Sequence, residues 1–154
     1  MHKGRLEAFS DGVIAVLITI LVLELRAPHG SDWESLRPLL PAFISYVLSF
    51  IYLGIYWSNH HHLLQAVQHI NGKVLWANLH LLFWLSPTPF VTGWMGENSF
   101  AAVPAAMYGV VLRFAAIAYF ILARPLLQSH SPTSVLATAL RPDSTGMFSL
   151  LLYL

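Results

Sequence analysis

Arg5, Glu7, Ser10 and Asp11 stand together ahead of the apolar run Val13–Leu23, in which Thr19 alone is polar. Polar groups at the mouth of an apolar helix are expensive in hydrocarbon, and where they persist they are usually used. Two chemistries fit this cluster. Ser10 or Asp11 can accept bonds from the free N–H groups at a helix start. Alternatively both join Arg5 and polar groups of another helix in a buried cluster, which is stable only if every partner is satisfied. Continued at 100° per residue, Val16, Thr19, Ile20 and Leu23 fall on one stripe, with Asp11 about 140° away from Val16. Such a stripe serves either as an ordinary helix–helix contact or as an apolar constriction along an ion path, which can gate by dewetting. In the second case Thr19 supplies the one hydroxyl able to coordinate a partly dehydrated cation.

The other concentration of chemistry is Trp57-Ser58-Asn59-His60-His61-His62, with Gln65, His69 and His80 beyond it. Consecutive histidines point in different directions on a helix, so three in a row cannot all reach one metal. His62 and His69 could share a face, whereas His60 and His80 would need a tertiary contact. Neither a His-Glu-x-x-His nor a Glu-x-x-His pattern is present. Three uses stay open: an interfacial polar cluster, a metal or haem site built from His60–His62, His69 and His80, and a proton-sensing group. The sequence has no cysteine, which excludes disulfides, thiolate metal sites and cysteine nucleophiles. It also has no Gly-rich phosphate loop, no Ser-His-Asp arrangement and no nucleophile elbow. It reads as a non-enzyme with no cofactor and no resident metal.

The elements that position these residues follow from composition. Of 154 residues, 56% are hydrophobic and only 10% charged, against about 25% charged in a soluble domain. Mean hydropathy is +0.63. These values define an all-α integral membrane protein. The net charge of +1 provides no basic field for nucleic acid. A crossing helix needs about 20 apolar residues, and four segments qualify: Leu6–Leu25, Leu39–Ser58, Val74–Trp94 and Val103–Ala123. Pro87 and Pro89 should kink or break the third, and Pro125 should close the fourth. Residues 26–37, 59–73, 95–102 and 124–146 read as connections. A fifth apolar run begins at Met147, so the chain, one transmembrane domain over residues 1–154, reads as ending inside a fifth helix. Basic residues near the helix ends favour the side of Lys3, Arg5, Lys73, Arg124 and Arg141 over that of Arg26 and Arg37. This predicts a cytoplasmic N-terminus in a multi-pass protein of the cell membrane. Arg113, inside the fourth segment, should snorkel, pair with a carboxylate such as Glu24, or lie outside the helix.

Arg5-xxx-Phe9-Ser10-Asp11-Gly12 followed by Ile18–Leu25, then Tyr56–His62, Trp76–Ser86, Pro89-Phe90 and Tyr108-Gly109, resembles the transmembrane protein 175 potassium-channel family in its prokaryotic branch. The resemblance covers nearly the whole chain. It implies a six-helix subunit of a homotetramer, embedded in membrane lipid and passing potassium ions. It implies a passive leak-type conductance through a pore lined by the first helix of each subunit. The Thr-Val-Gly-Tyr-Gly filter of other potassium channels is absent from the family and from this sequence. By position after Phe-Ser-Asp, the pore and selectivity residues would be Val16, Thr19, Ile20 and Leu23. Val16 is smaller than the leucine or isoleucine expected there, which would widen that ring. The resemblance further implies a structural polar cluster of Arg5, Phe9, Ser10 and Asp11 with Trp57, Asn59 and His80. The competing readings are the His-based metal or haem protein, an alternating-access transporter using the proline-broken third helix, and a non-transporting scaffold.

Overall fold

A computed structural model describes residues 3–65 and 70–128, and among these all regular structure is helical. Helix α1 spans Lys3–Leu23 and buries Leu6, Ser10, Ile14, Leu17 and Leu21. The three- and four-residue spacing of those positions puts them on one face. A 3-10 helix, Trp33–Leu39, follows and leads directly into α2, Leu40–Gln65. The Asp32 side chain caps its start by accepting from the Ser35 backbone N–H. Helices α3 (Gly72–Leu85) and α4 (Thr88–Glu97) form the next crossing, and α5 runs from Ala102 to Gln128. Among the described residues, four segments are thus long and apolar enough to cross a membrane: α1, Trp33–Gln65, Gly72–Glu97 and Ala102–Arg124. The fifth apolar run, from Met147, lies outside the described residues.

The break between α3 and α4 falls where the prolines place it. Pro87 and Pro89 each lack an N–H, so the helical ladder loses donors on either side of Thr88. Ser86 compensates by donating its hydroxyl to the Phe83 carbonyl (2.8 Å), the acceptor Pro87 cannot serve. Elsewhere the helices outrun their expected limits. Helix α2 continues through His60–His62 to Gln65 rather than stopping at Ser58. Helix α5 passes Pro125 to Gln128. A proline in the last turn costs one hydrogen bond near an end that frays in any case, so the helix is not forced to stop before it. Between α4 and α5 the chain reverses through Ser99 and Phe100, both left-handed (φ 49° and 59°). The Phe100 N–H closes that turn on the Met95 carbonyl (3.0 Å).

Helix α3 packs on α5 and α2 on α4, while α1 lies across α2, α3 and α4. The core holds Leu17, Leu21, Leu53, Tyr56, Leu81, Leu85 and Leu122, with Ala115 and Ala118 letting α5 approach closely. Helices α2 and α4 meet tightly at Gly96, where a Cβ would sit 2.6 Å from the Ala42 Cα. Hydroxyls join the elements within the apolar interior. Ser49 bonds to Thr92 (2.7 Å) and to Tyr108 (3.0 Å), and the Tyr52 hydroxyl donates to the Leu112 carbonyl (3.0 Å).

Candidate functional site

Helix α1 carries two faces with different fates. One is buried in its own bundle at Ile14, Leu17 and Leu21. The other, about 130° round the helix at 100° per residue, holds Val16, Thr19, Ile20 and Leu23. This second face is left uncovered by the described chain, with Val16 55% and Leu23 75% exposed. Thr19 is exposed as well, and its hydroxyl donates to the Val16 carbonyl at 2.8 Å. That bond engages the proton and leaves oxygen lone pairs as the group's free valence.

A polar chain fixes the N-terminal half of this helix. The Ser10 hydroxyl donates to the Leu6 carbonyl (2.9 Å) and accepts from the Asn78 amide nitrogen (2.9 Å). The Asn78 amide oxygen then lies 2.6 Å from His60 Nε2. With the amide oriented so, Nε2 must carry the imidazole proton, because two acceptors cannot bond to each other. Ser10, His60 and Asn78 are all buried. His60 Nδ1 has no partner among the described residues. Alongside, Trp57 donates its indole N–H to Asp11 (3.1 Å). Lys3 ties the start of α1 to the end of α2 through the Gln65 carbonyl (2.9 Å) and lies 3.6 Å from Glu7.

Of the residues grouped by sequence, the structure therefore brings Ser10 and Asp11 to α3 and α2, with Trp57. Phe9 is exposed, and so is Arg5, which makes no bond among the described residues. Asn59 contributes only its carbonyl, which accepts from Tyr119 (3.3 Å). His80 is exposed and accepts from Trp84 on its own helix (3.0 Å). The Asn that bonds to Ser10 is Asn78, and the His that joins the chain through it is His60. A signal for both was present. His60 continues the inward series Ser45, Ser49, Leu53 and Tyr56 on α2, and Asn78 shares its face of α3 with Val74, Leu81, Leu82 and Leu85.

The histidines do not converge. His61 bonds to Gln65 (2.8 Å), His62 is exposed, and His69 lies outside the described residues. Among the described residues no group of three or more His, Cys, Asp or Glu side chains could hold a metal. At the opposite end of the bundle, Arg26 pairs with Glu97 (2.8 Å). Glu24 lies against Gly93, where any larger residue would displace its carboxylate. Arg113 stays inside α5 on an exposed face, unpaired among the described residues, so Glu24 is not its partner.

Four apolar crossings among the described residues, the third broken at prolines and the first anchored internally, make this a multi-pass membrane protein. The family model for the endosomal/lysosomal potassium channel TMEM175 matches residues 5–89, and the chain belongs to that family. It is 54% identical over 153 residues to a protein named as a potassium channel from Chryseobacterium sp. strain P1-3. That match takes in 99% of this chain and 80% of the relative. A protein of the same description from Streptomyces collinus is 35% identical, over 77% of this chain and 61% of its own length. A chicken protein named endosomal/lysosomal proton channel TMEM175 is 30% identical over 74% of this chain and 26% of its own length. Among solved structures, the lysosomal potassium-selective channel TMEM175 homolog from Chamaesiphon minutus superposes with a TM-score of 0.78 at 29% identity. It matches 98% of this chain and 82% of the solved one.

Proposed function

We propose that this chain is the subunit of a potassium-selective channel in which the α1 helices of four copies line a central pore. The observation that carries this reading is the uncovered face of α1. A single subunit buries one side of its first helix and leaves Val16, Thr19, Ile20 and Leu23 facing outward. Four such faces around an axis would stack apolar rings of Val16, Ile20 and Leu23, which gate by dewetting. Between them Thr19 would present oxygen acceptors to a partly dehydrated cation, since its proton is engaged by Val16. Ion movement is passive, down the gradient, with no cofactor and no chemical step. The Ser10–Asn78–His60 chain and the Asp11–Trp57 bond hold α1 at a fixed rotation. Arg5 and Phe9 lie on the exposed side, available to a neighbouring copy. The channel resides in the cell membrane with its N-terminus in the cytoplasm, the orientation that basic residues near the helix ends favour.

The test is flux in liposomes, potassium against sodium, for the native chain beside Thr19→Ala and Leu23→Asn. Leu23→Asn should raise flux by hydrating the constriction, and Thr19→Ala should lower the preference for potassium. Unchanged permeability ratios in both variants would remove the stripe from the pore. The absence of cysteine allows a second check. Val16→Cys should be blocked by a water-soluble thiol reagent, whereas Leu17→Cys, on the buried face, should not. The His-based metal or haem reading is not favoured, because the described histidines go to separate partners.

A further inference from the structure

The two ends of the bundle differ in how their cations are satisfied. At one end Arg26 pairs with Glu97 and Arg37 with Glu34. At the other, Lys3 lies near Glu7, whereas Arg5, Lys73 and Arg124 have no carboxylate partner among the described residues. Lys73 is one of the residues lining an open groove of about 870 Å³ between α3 and α5, with Asn71, Gly72, Trp76, Ala77 and Ile121. Arg124 sits one turn beyond Ile121, its guanidinium 4.4 Å from the Phe120 ring centre. Trp76 is 73% exposed, and its indole N–H has no acceptor among the described residues. The Asn71 side-chain oxygen is engaged in capping α3 through the Val74 N–H (3.0 Å). The groove thus offers an ammonium and an indole N–H, with the Arg124 guanidinium one turn beyond its Ile121 wall and no acidic side chain in its lining.

We propose that this groove binds an anionic phospholipid, the phosphate held by Lys73 and Arg124 and one acyl chain laid along Trp76, Ala77 and Ile121. Tryptophan at the end of a membrane span sits at headgroup level, with its ring toward the chains and its N–H toward water. Basic pockets between crossing helices are the matching sites for acidic headgroups. A zwitterionic lipid fits less well, because its choline would meet two cations with no carboxylate to offset them. The site lies on the α3–α5 side, away from the uncovered face of α1, so it stands or falls independently of the pore.

The full chain in phosphatidylcholine vesicles containing brominated phosphatidylglycerol provides the test, since bromine quenches tryptophan on contact. At equal mole fraction, brominated phosphatidylglycerol should quench more strongly than brominated phosphatidylcholine, and Trp76→Phe should abolish the excess. Lys73→Gln and Arg124→Gln should each weaken the phosphatidylglycerol preference roughly fivefold. Arg37→Gln, which removes a paired cation, should leave it unchanged. Equal quenching of the native protein by the two lipids would overturn the proposal, and that comparison needs no variant to fold. A preference that survives the double Lys73→Gln/Arg124→Gln substitution would overturn it too. So would shielding of Trp76 from both lipids, the result expected if residues 129–154 fill the groove instead.

Discussion

Single side chains decide how α1 is held. Asn78 sits between Ser10 and His60 and uses both ends of its amide, so Asn78→Leu strands a buried imidazole N–H and removes the donor to the Ser10 oxygen, whose own proton stays on the Leu6 carbonyl. Leaving a buried polar group unsatisfied costs about 1–3 kcal/mol. Thermal unfolding in detergent should therefore move down by several degrees for Asn78→Leu. The same change at Asn59, whose side chain bonds to nothing described, should have little effect. Ser10 and Asp11 were legible because polar groups beside an apolar run stand out, whereas Trp57 as a partner followed only from the family resemblance. The same resemblance implied Asn59 and His80 as further partners, where the structure brings Asn78, and through it His60, to Ser10. Each pair holds one Asn and one His, and composition alone does not distinguish them. The difference lies in helical phase, since His60 faces the core while His80 points outward.

At the scale of elements, the contacts between helices set which glycines are replaceable. A Cβ on Gly96 would drive into the Ala42 backbone, and one on Gly54 would meet nothing within 4 Å. Overpacking of this kind costs about 1–3 kcal/mol. Gly96→Ala should lower the unfolding temperature, whereas Gly54→Ala should hold or raise it through better helix propensity. The 3-10 helix has its own pH limit. The Ser35 side-chain and backbone bonds hold the Asp32 carboxyl below its ordinary value of 3.8. A carboxyl shifted that way contributes stability above its unfolded pKa and loses it as pH falls through the folded one. Protease sensitivity around Trp33–Leu39 should stay flat from neutral to mildly acid pH and rise only in strong acid. The crossings were legible because uninterrupted apolar length and missing proline donors are properties of the chain itself. Helix ends were less so. His60–His62 read as a loop because the run is polar, yet α2 continues because one of the three histidines finds a buried partner across the bundle.

For the whole molecule, the first prediction concerns assembly. Light scattering of the purified chain should give four times the 17.2 kDa subunit mass, and a population of folded monomers alone would leave the uncovered α1 face without a pore to line. No sequence pattern could show that this face is left bare, because bareness is defined by where every other helix goes. The break at Ser86–Pro87 has a mechanical consequence. The N-terminal half of α1 is fastened to α3 through Ser10 and Asn78, and the chain just past its C-terminal end meets α4 through Glu24 and Arg26. One beam is therefore clamped to two rods that share a knuckle. Any flexing of that knuckle must tilt the beam or tear one of its clamps.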